Sequence, residues 1–293
     1  MTLGIEVNKL QLRYGSFTAL HDLTFKLDGG KIYGLLGRNG SGKTSLLSIL
    51  ASFRLQSAGS VSIGGEAPFE NAKMMEQVCF IQESGHMNEG FSVRDALSLA
   101  ASCWPNWDDA YAAKLVKLYD LPLKKRATTL SRGMKSALGV TIGLASRAPV
   151  TIFDESYLGM DAPSRYTFYE QLLNDYMEHP RTIILSTHLI EEVASLFEEV
   201  LIIDKGRLIV HEETESIRTK GRAVTGPAEA VDRFAQGKTV FGEQKLGRTK
   251  SVTVFGELDD AACERAISEG LELGPVSLQD LFVHMTKRKG DEQ

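Results

Sequence analysis

The run KIYGLLGRNGSGKTSLLSILASF occupies residues 31–53. It begins with a compact apolar segment of strand length, KIYGLLG, and ends in KTSLLSILASF, whose apolar residues recur at helical spacing. Between them GRNGSGKT at 37–44 satisfies GxxxxGK[ST] in the strand-to-helix setting that this pattern requires. Gly37, Gly40 and Gly42 let the backbone curl, so that successive amides of the loop, through Arg38, Asn39 and Ser41, turn inward towards phosphate oxygens. The helix N-terminus adds favourable potential. Lys43 is placed to reach β- and γ-phosphates, and Thr44 to ligate Mg2+.

Outward from this loop the text predicts an α/β protein of the P-loop NTPase class. Upstream, GIEVNKLQLRY and LHDLTFKL are short alternating segments broken by Gly and Asp, which predicts antiparallel strands. Downstream come a hairpin-like stretch, GSVSIGG at 59–65, and a strand, QVCFIQ at 77–82. Residues 92–147 lack strand signals and predict a helical insertion, with the helical subdomain spanning about 84–147. Strand-like runs return at 150–153, 182–187 and 200–204, alternating with helical patterns at 163–178 and 189–198, as in a parallel sheet. The turn DKGR at 204–207 is expected to close the core. The expected cassette is 1–215. Residues 216–293, with frequent glycine breaks, predict a small C-terminal α+β appendage of unassigned role.

Composition bounds the function. With 293 residues, 43% hydrophobic and 24% charged, the chain is long enough for a real core and is neither disordered nor collagen-like. A formal charge of −5 provides no bulk positive field for nucleic acid. Cys79, Cys103 and Cys263 are far apart without CxxC spacing, which argues against a zinc site and fits a reducing compartment. No apolar run approaches the length of a spanning helix, and MTLGIEVNKLQLRYG has no secretory pattern. A role at a membrane would need a partner to supply the span. Trp104 and Trp107 in CWPNWDD are assigned either to packing or to a surface meeting such a partner.

Phosphate chemistry also needs a carboxylate at a neighbouring strand end, and VTIFDES at 150–156 supplies Asp154 for the metal. Glu155 follows, placed to polarise an attacking water as general base.

Together these residues resemble the nucleotide-binding subunits of ATP-binding cassette (ABC) transporters, of exporter type. The discriminating stretch is LSRGMKS at 130–136, which resembles the signature LSGGQ: Ser131 and Gly133 match, whereas Arg132 and Met134 depart. The resemblance spans about residues 3–215. It implies that Ser131 and Gly133 cap the γ-phosphate bound by the opposite subunit and that His188 is the switch histidine. It further implies that Gln82 reaches the metal and its water, that Asp161 contacts the partner subunit, and that Tyr14 stacks on adenine. Left to itself, an aromatic on a strand is more often a packing residue. Ser156 replaces a frequent proline after the glutamate. The implied cofactors are ATP and Mg2+. The implied partners are an integral membrane permease on a separate chain and a second ATPase subunit, identical or related, with no nucleic acid. The implied place is cytoplasmic, peripheral on the inner face of the membrane, and the implied activity is ATP hydrolysis powering export. Two alternatives are a soluble, non-transport ABC ATPase acting on DNA or ribosomes, and a small P-loop kinase or GTPase. The first lacks its expected double cassette, coiled coil or basic segments; the second leaves Ser131, His188 and the helical insertion unexplained.

Overall fold

The computed structural model describes residues 2–83, 90–256, 258 and 260–286. The chain divides into two compact units, Met1–His188 with Leu201–His211, and Leu189–Val200 with Glu212–Gln293. The second unit thus takes up a stretch before residue 215 as well as the C-terminal region.

In the first unit, β1 (Ile5–Tyr14) and β2 (Phe17–Leu27) form an antiparallel pair. Ile5, Val7, Leu10 and Leu12 of β1 are buried between exposed or half-buried neighbours. The alternation slips at a bulge where Lys9 takes a left-handed φ of 46°. Next come β3 (Ile32–Leu36), α1 (Lys43–Leu50) and β4 (Ala58–Ile63). The hairpin-like stretch at 59–65 forms one strand and a tight turn, with no second strand after it: β4 pairs antiparallel with β1, giving the order β2-β1-β4. Past it, Gly64 and Gly65 turn the chain back into a single bridge from Ile63 to Glu66.

A short α2 (Ala72–Met75) leads to β5 (Val78–Gln82). The insertion is helical, as expected, in α3 (Val93–Cys103), α4 (Asp109–Leu118), a 3-10 turn at Ala127–Thr129 and α5 (Arg132–Ser146). Its predicted beginning at 84–89 lies outside the described residues. The side chains of Ser92, Asp108 and Ser131 cap α3, α4 and α5 by accepting from amides three residues on. On α5, Gly143 faces the Phe153 ring so closely that a Cβ would collide with it. Glycine there lets the helix settle onto the sheet. Trp104 donates from Nε1 to the Val78 carbonyl at 3.1 Å and Trp107 to Asp109 at 2.9 Å, so both have intramolecular partners.

The core sheet continues with β6 (Val150–Asp154), α6 (Ala162–Glu178), β7 (Thr182–Thr187), α7 (Ile190–Val193), β8 (Glu199–Asp204) and β9 (Arg207–Glu213). Two expectations change here. The helix predicted over 189–198 is only the four residues of α7, and the turn at 204–207 does not end the sheet. Lys205 and Gly206, both left-handed at φ 46° and 72°, form a two-residue turn into an edge strand, β9. The sheet order is β5-β6-β7-β3-β8-β9, parallel across β5, β6, β7 and β3. β3, β6 and β7 are buried along their whole length, which explains continuous apolar runs in place of alternation. A cluster including Leu35, Leu46, Leu47, Ile152, Ile184 and Ile203 fills the core. Each such side chain contributes about 1.5–3 kcal/mol on burial. Arg147, left-handed at the end of α5, pairs with Asp108 at 2.9 Å and with Asp175 of α6 at 3.2 Å. Arg181 pairs with Asp175 at 2.7 Å.

The second unit contains α8 (Thr214–Lys220), β10 (Gly221–Pro227), α9 (Ala228–Ala235), β11 (Thr239–Leu246), β12 (Thr249–Phe255), α10 (Asp260–Ser268), β13 (Glu272–Pro275) and α11 (Leu278–Met285). Its sheet runs β11-β12-β10-β13, antiparallel at every pairing. From β10 to β13 the order βαββαβ with this arrangement is a ferredoxin-like split βαβ. Val224, Val231, Val252, Val254 and Leu271 pack its core.

Candidate functional site

Parallel pairing brings four strand ends level. Gln82 of β5 aligns with Asp154 of β6, Asp154 with Ser186 of β7, and Ser186 with Leu35 of β3. The chemistry-bearing residues follow within a few positions of this row, at the carboxyl edge where ligands bind in open α/β sheets.

The glycine-rich loop leaves β3 at Gly37, where a Cβ would strike the Ser41 side chain and the Ile203 carbonyl. Gly40 and Gly42 have φ of 77° and 108°, the left-handed conformations that the tight curl needs. Ser41 N donates to the Arg38 carbonyl at 3.0 Å, and the Ser41 carbonyl accepts from Gly206 N at 2.8 Å, pinning the loop to the β8–β9 turn. Helix α1 starts with Gly42 at its N-cap, no side-chain cap and no acidic residue in its first turn. Its leading amides are therefore available to an anion. Arg38, Asn39 and Gly40 are exposed on the loop.

Lys43, 6% exposed, folds back to donate to the Gly37 carbonyl at 2.7 Å and lies 3.7 Å from Glu155. His188 Nδ1 is 3.5 Å from the same Glu155 oxygen. Glu155 has φ of 51° and its amide donates to the Ser186 carbonyl at 3.0 Å. A left-handed glutamate at a strand end is the kind of local strain that collects at working sites. Thr44 Oγ1 donates to Asp154 Oδ2 at 2.7 Å. Asp154 is 5% exposed, and its Oδ1 has no hydrogen-bond partner among the described residues. Burial pushes the Asp154 carboxyl above the usual carboxylate range, against the opposing effects of the Ser186 and Thr44 hydroxyls.

The donor set suits a hard cation that keeps most of its shell for phosphate and water. The orphaned buried Oδ1 and the adjacent Thr44 hydroxyl are oxygen ligands. Among the described residues no three His, Cys, Asp or Glu side chains form a self-sufficient metal cage. Gln82 stands in register beside Asp154.

Tyr14 ends β1 beside the loop helix, 39% exposed, its hydroxyl 3.3 Å from Ser45 Oγ. The Arg54 guanidinium lies over its ring, 4.7 Å from the centroid. Ser131, Gly133 and Asp161 stand apart from this cluster. Ser131 caps α5 through Met134 N at 3.2 Å, and Asp161 caps α6 through Ser164 N at 3.1 Å. A Cβ on Gly133 would lie 3.1 Å from the Gly159 carbonyl, so the first turn of α5 is in close contact with the loop before α6. Among the described residues neither Ser131 nor Asp161 has a hydrogen bond or ion pair to residues 37–44. Arg132 forms an ion pair with Glu83, next to Gln82.

Sequence reasoning missed Ser186, which borders both Asp154 and Glu155, and Arg54, which covers Tyr14. A hydroxyl residue closing the apolar run TIILST carries a faint signal of a strand-end role; Arg54 carries none.

The family model for the ABC transporter matches residues 20–157. The ABC transporter ATP-binding protein YtrB of Bacillus subtilis is 24% identical over 204 residues, 70% of either chain. The Nod factor export ATP-binding protein I of Burkholderia lata is 28% identical over 307 residues, 97% of either chain. Among solved structures, an ATP-binding subunit of an ABC transporter superposes with TM-score 0.66 at 24% identity, covering 73% of this chain and 91% of that one. A bacterial Atm1-family ABC exporter with ATP bound superposes with TM-score 0.63 at 18% identity, covering 74% of this chain and 40% of that one. These two likenesses establish the fold. Residues 20–157 are thus an ABC transporter domain, and the chain as a whole resembles ATP-binding proteins of ABC transporters in sequence and in fold.

Proposed function

We propose that this protein is an ATP-hydrolysing subunit that dimerises on binding ATP and powers export through a membrane-spanning subunit carried on a separate chain. The observation that carries the proposal is the convergence of Lys43, Thr44, Asp154, Glu155 and His188 around the open N-terminus of α1. Loop amides and Lys43 bind the phosphates, Lys43 exchanging the Gly37 carbonyl for phosphate oxygen. Thr44 and Asp154, with Gln82 beside them, hold Mg2+, which when bound offsets phosphate charge. Glu155 orients and deprotonates the attacking water, and His188 holds Glu155 on its other side while stabilising charge on the transferring phosphoryl group. Tyr14 supports the adenine ring once Arg54 yields or shares its face.

Ser131 and Asp161 at the N-caps of α5 and α6, and Gly133 in the first turn of α5, have among the described residues no hydrogen bond or ion pair to the chain's own phosphate loop, which supports a role in a second subunit's site. One chain is then half of an enzyme, and closure of two chains is the event a permease can harness. Among the described residues no helix is long and apolar enough to cross a membrane, so the span belongs to the partner. The relatives named for export favour that direction. We place the protein at the cytoplasmic face of the membrane, as a homodimer or a heterodimer with a related chain.

The test is Glu155→Gln with ATP and Mg2+. Turnover should fall by roughly a hundredfold or more, the scale of lost general-base catalysis, while ATP binding persists and a dimer accumulates in size-exclusion chromatography. A variant that still hydrolyses ATP at the native rate, or stays monomeric with ATP bound, would defeat the proposal.

A further inference from the structure

The second unit contains a cleft of about 700 Å³ lined by four basic side chains: Lys220 at the end of α8, Arg222 in β10, Lys238 before β11 and Arg265 on α10. The hydroxyl residues Ser216 and Thr219 of α8 also line it, and no carboxylate does among the described residues. In a chain whose formal charge is −5, four cations around one concavity reverse the average surface and focus a positive field there.

Among the described residues, three of these four charges have no compensating carboxylate. Lys220 pairs with Glu212 at 2.6 Å. Lys238 donates to the Phe234 carbonyl at 2.8 Å and lies over the Phe234 ring, while Arg222 donates to the carbonyls of Arg218 and Gly221 at 3.3 and 3.1 Å. These bonds orient the cations without neutralising them. Among the described residues Arg222, Lys238 and Arg265 have no carboxylate at ion-pair distance. Glu257 and Asp259, which flank the lining residue Leu258 in sequence, lie outside the described residues, as does the side chain of Asp260. The cleft's volume falls within the ordinary range for small-molecule sites, about 300–1,000 Å³. All of its residues belong to the second unit and none to the phosphate loop.

We propose that this cleft is a second anion site, which takes a phosphate-bearing ligand distinct from the hydrolysed nucleotide. Arg222 and Arg265 supply guanidinium forks suited to phosphate oxygens, and Lys220 and Lys238 act as point charges; the Ser216 and Thr219 hydroxyls donate within the chain to Glu212 Oε2 at 3.3 Å and to the Ser216 carbonyl at 2.9 Å, and reach the ligand only by giving up those bonds. The ligand is either a soluble phosphate ester or the headgroup of an anionic lipid.

The experiment uses the full chain carrying Lys43→Ala, which disables the nucleotide loop, with inorganic pyrophosphate titrated by calorimetry. Binding should survive Lys43→Ala, weaken with added salt, and weaken roughly tenfold for each of Arg222→Gln and Arg265→Gln, as befits a lost charged hydrogen bond. Arg265 is exposed, so its substitution leaves the fold intact and carries the test if Arg222→Gln is unstable. Flotation with phosphatidylcholine vesicles, with and without phosphatidic acid, separates the sources. Flotation that needs phosphatidic acid and is lost in Arg265→Gln assigns a headgroup; pyrophosphate binding without flotation assigns a soluble ester. No pyrophosphate binding in the Lys43→Ala chain, or binding unchanged by both arginine substitutions, would overturn the proposal.

Discussion

Replacing Thr44 with valine keeps the side chain's shape and removes one hydroxyl, which isolates the bond to Asp154. That bond is 2.7 Å long and its acceptor is 5% exposed, with Oδ1 unpartnered among the described residues. A hydrogen bond to an ionised acceptor contributes about 1.5–3 kcal/mol, against about 0.5–1.5 kcal/mol for a neutral one. Thr44→Val should therefore lower the nucleotide-free unfolding free energy by about 2 kcal/mol. In an Asp154→Asn background the same change should cost roughly 1 kcal/mol, leaving a coupling of about 1 kcal/mol in the double-mutant cycle.

The pH dependence follows from the direction of the Asp154 shift. Burial raises its carboxyl in the folded state, so the native chain favours the protonated form more than the unfolded chain does. That contribution to stability is complete in acid, below the ordinary Asp range, and is lost as pH rises through the elevated folded value. Because the Thr44 hydroxyl supports the ionised form, its removal matters most at neutral pH and progressively less on acidification. Urea unfolding followed by circular dichroism, at neutral and acid pH, measures all four corners of the cycle. Equal losses in both backgrounds and at both pH values would show that the hydroxyl does not serve the carboxylate, and would remove the Thr44–Asp154 pair from the site.

Asp154→Asn alone should leave the nucleotide-free protein as stable as the parent or more so at pH 7, because a buried charge is removed, yet abolish Mg2+-dependent turnover; a large drop in melting temperature would contradict this. Ser131→Ala should destabilise α5 by about 1 kcal/mol through loss of its N-cap, and mixing experiments with a Lys43→Ala chain should show whether its catalytic defect acts on the other subunit's site. Tyr14→Ala should weaken ATP binding by roughly 1 kcal/mol through lost stacking, and unchanged affinity in a fluorescent-nucleotide titration would return Tyr14 to packing. Burial pushes the Cys79 thiol up to about 12, whereas Cys103 is exposed; a thiol reagent at pH 8 should label Cys103 in the native protein and Cys79 only on unfolding, as read by peptide mass spectrometry.

The phosphate loop was legible because its chemistry is local. Three glycines, a lysine and a threonine at fixed spacing dictate a backbone curl whatever surrounds them, and the flanking strand and helix are short-range patterns. Asp154 and Glu155 were readable for a related reason, as acids closing an apolar run. Gln82, Asp161 and His188 carry no such local mark, and only their order along the chain, matched to a family, gave them roles; Ser131 took its role from the likeness of LSRGMKS to that family's signature. The misread elements share one cause. Residues 59–65 and 189–198 have propensities that fit more than one partner arrangement. Pairing with β1 made the first a single strand, and only Ile190–Val193 of the second is helical.

From sequence alone the protein was determined to be an α/β P-loop nucleotide-binding chain with a helical insertion and a separate C-terminal region. Those properties reside in residue type, spacing and periodicity. The tertiary structure decided that Gln82, Asp154, Ser186 and Leu35 stand in one row, that Asp154 is buried with one oxygen unpartnered among the described residues, and that α8 and the βαββαβ region after it gather four cations around one cleft. Register, burial and convergence arise from strand pairing between residues dozens to more than a hundred positions apart. A linear text records the groups that can meet, and only packing selects which ones do.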